Sequence, residues 1–84
     1  MKVSYKKISS VFRNAKKTFA KQWIPPPYTK RDIIEIRKQF WKDFGKAHNM
    51  NVTIDGFESN YPIINDTIEF NNEQDYLMFV LRWS

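Results

Sequence analysis

The three consecutive prolines at positions 25–27 constrain the fold of this 84-residue chain more than any other feature. Proline has no backbone N–H and disfavours a helical conformation in the residue before it, so no regular helix continues through this segment. A proline run is also stiff and extended, at about 3 Å per residue. We therefore expect a polyproline spacer at residues 25–27 that ends one element and starts the next.

The segment before the prolines has the period of an amphipathic helix. Between Ile8 and Trp23 apolar residues recur every three or four positions and form one arc. The opposite side carries Arg13, Lys17 and Lys21. Ser9 or Ser10 is the expected N-cap of this helix, and the alternation of Val3 and Tyr5 suggests a short edge strand ahead of it.

Two arrangements of this first segment are compatible with the pattern. In one, the spacer holds a basic amphipathic front, residues 1–24, apart from the remaining body of the domain, residues 28–84. In the other, the prolines form a rigid turn between two packed helices, and Phe12, Phe19 and Trp23 are core residues.

A second helix is predicted directly after the prolines. Thr29 is a suitable N-cap, Asp32 completes a capping box three residues later, and Tyr28 is placed to contact Ile33 as a hydrophobic staple. Its apolar face contains Ile33, Ile36, Phe40, Phe44 and Ala47, widened by Ile34 and Trp41. We expect this helix to end near His48, with Asn49 in the left-handed conformation of a C-cap.

Beyond residue 49 the period changes to that of strands. Apolar and polar residues alternate around Val52 and Ile54, and again around Ile68 and Phe70. These two strands are expected to pair antiparallel across a loop at residues 56–66, which contains several turn-prone residues. A last helix follows, capped by Asn71 or Asn72 and apolar nearly all round, so it is either buried or in contact with a partner.

The chain is therefore predicted to be a single α+β domain with the order α-α-β-β-α. An antiparallel two-stranded hairpin is packed by helices, with an additional N-terminal edge strand. Residues 28–84 then form an αββα body. A two-stranded sheet alone is marginally stable, so we expect a third strand from the amino terminus or from another chain.

Charge is divided unevenly along the chain. Residues 1–48 contain 13 Lys or Arg and three acidic residues, a formal charge of +10. Residues 49–84 contain one Arg and six acidic residues, a formal charge of −5. The first 31 residues carry nine cations and no anion. Such a concentrated positive field attracts phosphates, anionic lipids and acidic protein surfaces.

The sequence offers few groups for catalysis or metal binding. It contains no cysteine, one histidine and two isolated glycines, which argues against thiolate chemistry, paired imidazole ligands and a glycine-rich phosphate loop. His48 is expected to be a helix C-cap group, and we predict no enzyme, metal site or cofactor. No apolar run suits a secretory signal or a membrane span, so a cytoplasmic location is expected.

The basic residues and their aromatic neighbours form the predicted binding site. Cations neutralise phosphates, and aromatic rings stack on bases. The predicted partner-binding residues are Lys6, Lys7, Arg13, Lys16, Lys17, Lys21, Lys30, Arg31, Phe19 and Trp23.

Several partners fit this charge pattern. An acidic protein surface and a nucleic-acid backbone fit equally in charge, but no known nucleic-acid-binding motif is present, which favours the protein. The same helix is also compatible with an anionic membrane surface if Phe12, Phe19 and Trp23 insert into it. A homo-oligomer is a further alternative, in which the positively charged amino-terminal part of one copy docks on the negatively charged carboxyl-terminal part of the next.

The carboxyl-terminal stretch TIEFNNEQDYLMFVLRWS combines a strand, a polar cap and an aromatic helix that ends on Leu81-Arg82-Trp83. It resembles the ends of small accessory proteins of tailed bacteriophages, over about a fifth of the chain. The resemblance implies a non-enzymatic protein of a host cell's cytoplasm or of the virion. It would be either an inhibitor that occupies a host protein or a minor structural component, with no catalytic residues to carry over.

Overall fold

The computed structural model describes residues 1–25 and 33–84. The elements in chain order are β1 (Lys2–Ser4), a single 3₁₀ turn (Tyr5–Lys7), α1 (Ser9–Gln22), α2 (Ile33–Ala47), β2 (Met50–Glu58), β3 (Tyr61–Phe70) and α3 (Glu73–Trp83). The predicted α+β class and element order are confirmed. The predicted N-cap, capping box and staple of the second helix fall on or depend on residues 28–32, outside the described residues, and of the proline spacer only Pro25 is described.

The sheet has three antiparallel strands in the order β1-β3-β2. The predicted N-terminal edge strand is confirmed, because Val3 pairs with Ile68 of β3, whose other neighbour is Val52 of β2. The amino-terminal ammonium group also donates to the carbonyl oxygen of Phe70 at 2.7 Å. The third strand that the hairpin needs thus comes from the amino terminus of the same chain.

The hairpin between β2 and β3 is longer than the sequence predicts. The prediction of a loop at residues 56–66 is wrong, because β2 continues to Glu58 and β3 begins at Tyr61. Only Ser59 and Asn60 form the turn, with φ values of 51° and 68°, the left-handed conformations of a tight two-residue hairpin turn. Irregularities in the register on both sides of Ile54 accommodate the turn-prone residues within the strands.

The helices cover one face of the sheet. Among the described residues, the buried apolar core consists of Val3, Ile8, Phe12, Ala15, Trp41, Phe44, Met50, Ile68, Phe70 and Phe79. The opposite face of the sheet carries exposed polar residues such as Asn51, Thr53 and Glu69. Four of the ten core residues precede the prolines, so α1 is packed into the domain, as in the arrangement with two packed helices.

The start of α1 differs from the prediction of a serine cap. Ile8 occupies the N-cap position and no side chain caps the helix. Ile8 is only 2% exposed, and its carbonyl oxygen accepts the first helical hydrogen bond, from the N–H of Phe12 at 2.7 Å. Burial of Ile8 beside the 3₁₀ turn therefore fixes the start of the helix, and Ser9 and Ser10 lie inside it.

The packing face of α2 is centred on Trp41 and Phe44. Both side chains are buried, whereas Ile33 is 42% exposed and Ala47 is exposed. The predicted face is therefore shifted toward Trp41, which the sequence placed at its margin. The helix ends at Ala47, close to the predicted position, and the left-handed conformation of Asn49 is confirmed by its φ of 55°.

The last helix, α3, begins as predicted at an asparagine cap. The Asn72 side-chain oxygen accepts from the backbone N–H of Asp75 at 2.9 Å. Phe79 is buried on the inner side, but three apolar side chains on the outer side are exposed: Leu77, Met78 and Leu81. Within the described residues, no helix has the length and apolar character needed to cross a membrane.

Candidate polyanion-binding surface and groove

The cations that the sequence singled out lie together on and beside α1. We use the name basic surface for the side chains of Lys6, Lys7, Arg13, Lys16, Lys17 and Lys21, all of which are exposed. Within residues 1–25 and 33–84 none of the six forms an ion pair. Lys30 and Arg31 lie outside the described residues. The positive charge of the basic surface is therefore not neutralised by carboxylates of the described structure.

The two aromatic residues predicted to join this site are used for internal packing. The Phe19 ring lies 5.5 Å from the rings of both Phe40 and Phe44, measured between centroids. The Trp23 indole packs edge-on against Phe40 and donates its Nε1–H to the Asp43 carboxylate at 2.9 Å. A partner would thus meet the cations of α1 without these two rings. Phe12, the third aromatic considered for membrane insertion, is 2% exposed.

A groove adjoins the basic surface where α1, α2 and the start of β3 meet. It has a volume of about 410 Å³, and its cationic residues are Arg13 and Lys16 of α1 and Arg37 of α2. The remaining lining residues are Tyr5, Phe12, Phe40, Trp41, Tyr61, Pro62 and Ile64. No carboxylate belongs to this described lining, so the groove combines positive charge with apolar and aromatic walls.

Arg37 and Tyr61 form the outer wall of the groove. The Arg37 guanidinium carbon lies 4.2 Å from the centre of the Tyr61 ring, within the range of a cation–π contact. Arg37 Nη1 also donates to the carbonyl oxygen of Asn60 in the hairpin turn. Tyr61 itself is 64% exposed. The turn thus fixes the guanidinium against an aromatic ring that is largely accessible to solvent.

The inner wall of the groove is formed by Trp41. Its indole is 7% exposed and stacks on the Phe12 ring at 5.8 Å. Lys16 Nζ lies 5.5 Å from the centre of the indole, so this lysine is held over the apolar wall. Sequence analysis identified Arg13 and Lys16 but missed Arg37 and Tyr61. The spacing of Arg37 and Trp41, one helical turn apart on α2, is the available signal that could have indicated the groove.

The hairpin carries charge of the opposite sign. Neither β2 nor β3 contains Lys or Arg, and both strands have exposed carboxylates: Asp55, Glu58, Asp66 and Glu69. Asp55 accepts from the Asn65 amide at 3.0 Å, and Asp66 accepts from the Ser4 hydroxyl at 2.9 Å. The division of charge along the sequence therefore becomes a division between a basic helical surface and an acidic hairpin.

His48 belongs to the aromatic core. Its ring lies 4.8 Å from Phe44, 5.3 Å from Phe79 and 5.8 Å from Trp83, measured between centroids. Burial, and to a smaller extent the charge of Arg82, lowers the pKa of His48 below its ordinary value. Within the described residues its Nε2 atom is buried without a hydrogen-bond partner. The side chain therefore serves in packing, which differs from the predicted role as a helix C-cap group.

A metal site would require several His, Cys, Asp or Glu side chains close together in the described part of the chain. No group of three or more His, Cys, Asp or Glu side chains is arranged there to hold a metal ion. Comparison with protein-family models, with curated proteins and with solved structures found no significant match. We take the basic surface and its groove as the candidate site, because they combine exposed cations with an accessible aromatic ring.

Proposed function

We propose that this protein is a non-enzymatic binding protein that docks on an acidic partner through the basic surface. The observation that carries the proposal is that six exposed cations share this surface and that none forms an ion pair within the described residues. Unpaired cations on one side of a small protein create a field that attracts a polyanion and accelerates its association. The partner is a nucleic-acid backbone or an acidic protein surface, as the sequence predicts.

The position of α1 gives this surface a rigid support. Its inner side contributes Phe12 and Ala15 to the core, so the cations of its outer side project from a packed helix. A preorganised surface loses less conformational entropy on binding than a flexible arm does. The resemblance to phage accessory proteins is in keeping with this proposal, and inhibition of a host factor is the form of binding that it suggests.

The proposal is tested by reversing charge at two positions of α1. Lys17→Glu with Lys21→Glu lowers the formal charge of the chain from +5 to +1. The control is Lys42→Glu with Lys46→Glu, which makes the same change in net charge at exposed positions of the same spacing on α2. The readout is fluorescence anisotropy of labelled duplex DNA, single-stranded DNA and polyglutamate across a range of salt concentrations.

We expect the α1 variant to weaken binding of at least one polyanion about tenfold more than the control. For a nucleic acid, the slope of log affinity against log salt should fall by about one for each phosphate that the variant no longer neutralises. The thermal midpoint should change little, because both lysines are exposed. Equally weakened binding in the two variants would point to net charge alone and would contradict a role for the basic surface.

A second candidate function is head-to-tail assembly of identical chains, as in a minor virion component. The observation that favours it is the set of exposed carboxylates on a hairpin without Lys or Arg, since such a surface complements the basic one. Sedimentation across salt concentrations tests this candidate. Oligomers should form at low salt and dissociate as salt screens the attraction, whereas a monomer at every salt concentration would contradict it.

A further inference from the structure

We propose that the groove between α1, α2 and β3 holds an unpaired nucleotide of a single-stranded nucleic acid. This inference rests on the proposed function and narrows it to one class of partner. The charge of the groove, the apolar character of its walls and the accessible ring of Tyr61 support it.

The groove is complementary in charge to a phosphate. Arg13, Lys16 and Arg37 line the groove, and its described lining contains no Asp or Glu. Arg13 and Lys16 come from α1 and Arg37 comes from α2, so cations of two helices line the groove. A phosphate group carries its charge on oxygens that guanidinium and ammonium groups bind well. The groove is thus suited to the phosphodiester of a polynucleotide.

The interior of the groove is largely apolar. Phe12, Phe40, Trp41 and Ile64 line the groove together with the cations. Its volume of about 410 Å³ lies in the range of sites that take small organic ligands. A run of carboxylates alone, as in polyglutamate, would use the charges and leave this apolar surface without a complementary group. An unpaired base has an apolar face and suits the interior, whereas a base within a duplex is stacked and paired and cannot enter.

The Tyr61 ring offers a surface on which a base can stack. Tyr61 is 64% exposed with the Arg37 guanidinium beside its ring, so an aromatic surface and a cation are accessible together at the edge of the groove. Stacking on an aromatic ring contributes binding free energy whichever base is present, because every base has a π face. An arginine next to the ring adds a cation–π contact and a charge for the phosphate. Arg37 and Tyr61 together therefore form a platform for one nucleotide.

The experiment compares binding of labelled oligothymidylate with binding of a DNA duplex of the same length, by fluorescence anisotropy with the full chain. The test variant is Tyr61→Ala, which removes the ring and leaves the charge unchanged. Two matched controls are Tyr61→Phe, which keeps a ring, and Ile63→Ala, which removes an exposed apolar side chain from the same strand outside the described groove lining. Circular dichroism monitors the fold of each variant.

We expect Tyr61→Ala to weaken oligothymidylate binding about tenfold and to leave duplex binding unchanged. Tyr61→Phe and Ile63→Ala should bind both ligands as the unmodified chain does. If Tyr61→Ala disturbs the fold, the pair Lys16→Gln and Lys17→Gln replaces it. The two changes remove the same charge from neighbouring positions, of which only position 16 lines the described groove, so Lys16→Gln should weaken single-strand binding more.

The outcomes separate this inference from the proposed function. Equal binding of single strand and duplex, with no effect of Tyr61→Ala, would overturn the nucleotide site while leaving a phosphate-binding basic surface intact. Binding of polyglutamate but of neither nucleic acid would overturn the nucleotide site and leave an acidic protein as the partner. Failure to bind any of these polyanions would overturn both.

Discussion

Gly45 lies in the last turn of α2, where the backbone at the start of β2 passes close to it. A Cβ atom at this position would lie 2.6 Å from the carbonyl oxygen of Met50. Helix propensity alone favours alanine over glycine by about 1 kcal/mol, but a backbone oxygen cannot move aside as a flexible side chain can. Steric overlap therefore outweighs propensity at this residue.

We expect Gly45→Ala to lower the free energy of unfolding by about 2 kcal/mol, in the range typical of overpacked sites. Urea denaturation followed by circular dichroism measures the change. Gly56→Ala is the matched control, because a Cβ atom there has no neighbouring atom within 4 Å and should change stability little. A Gly45→Ala protein as stable as the unmodified chain would mean that β2 does not pack against α2 at this distance.

A second single residue, His48, makes the stability of the domain depend on pH. Burial lowers its pKa in the folded protein, so the unfolded chain takes up a proton at a higher pH than the folded chain does. The unfolded state then binds more protons as the pH falls from about 7 toward 5, and stability decreases over this window.

His48→Phe should remove much of this pH-dependent decrease in stability. A phenylalanine ring has a similar shape, cannot be protonated and leaves no buried nitrogen without a partner. Urea denaturation at a series of pH values between about 5 and 7.5 measures the effect. Arg82→Gln removes only the smaller cause of the pKa shift and should flatten the profile less. A His48→Phe profile that parallels that of the unmodified chain would exclude His48 as the source.

At the scale of elements, α3 depends on its N-cap. Asn72 satisfies the N–H of Asp75, one of the free donors at the helix start. We expect Asn72→Ala to destabilise the domain by about 1 kcal/mol, measured as a shift in the urea midpoint. Asn71→Ala is the control: this neighbour is exposed, and the structure gives only its backbone N–H a hydrogen bond, to the Asn49 carbonyl oxygen. Equal effects of the two changes would contradict the capping role.

The elements differ in how far the sequence alone predicts them. Helix α1 is recognisable from its apolar period and α3 from its asparagine cap, and both are local signals. The hairpin was predicted too short because Gly56, Pro62 and Asn65 favour turns locally. In the folded chain Pro62 pairs with Phe57 near the start of β3, away from residues 67–69, the part of β3 that pairs with β1. A proline is tolerated there because β1 requires no hydrogen bond from it.

The groove could be predicted from the sequence even less well than the hairpin. Arg13, Arg37 and Tyr61 belong to α1, α2 and β3, so only tertiary packing brings them together. The basic surface was predictable because its cations follow one another on a single helix. Phe19 and Trp23 were predicted to join its binding site, with core packing as the alternative, and in the structure both rings pack against Phe40 of α2. An amphipathic period reveals that two faces exist, and packing decides which residues remain available to a partner.

At the scale of the whole molecule, the amino-terminal segment is part of the fold as well as the basic surface. Val3, Ile8, Phe12 and Ala15 are four of the ten buried apolar residues in the described structure, and β1 is one of three strands in the sheet. A chain reduced to residues 28–84 would lack these residues and retain a two-stranded hairpin, which is marginally stable by itself. Truncation therefore cannot separate binding from folding in this protein.

We expect the chain of residues 28–84 to show no cooperative thermal transition and little near-ultraviolet circular dichroism, because the rings of Trp41 and Phe44 lose their packing against Phe12. Addition of a peptide of residues 1–24 at high concentration should restore part of the signal, since the peptide supplies the missing core residues. A shortened chain that unfolds cooperatively near the midpoint of the full chain would contradict this, and would mean that residues 28–84 are a domain to which the basic helix is merely attached.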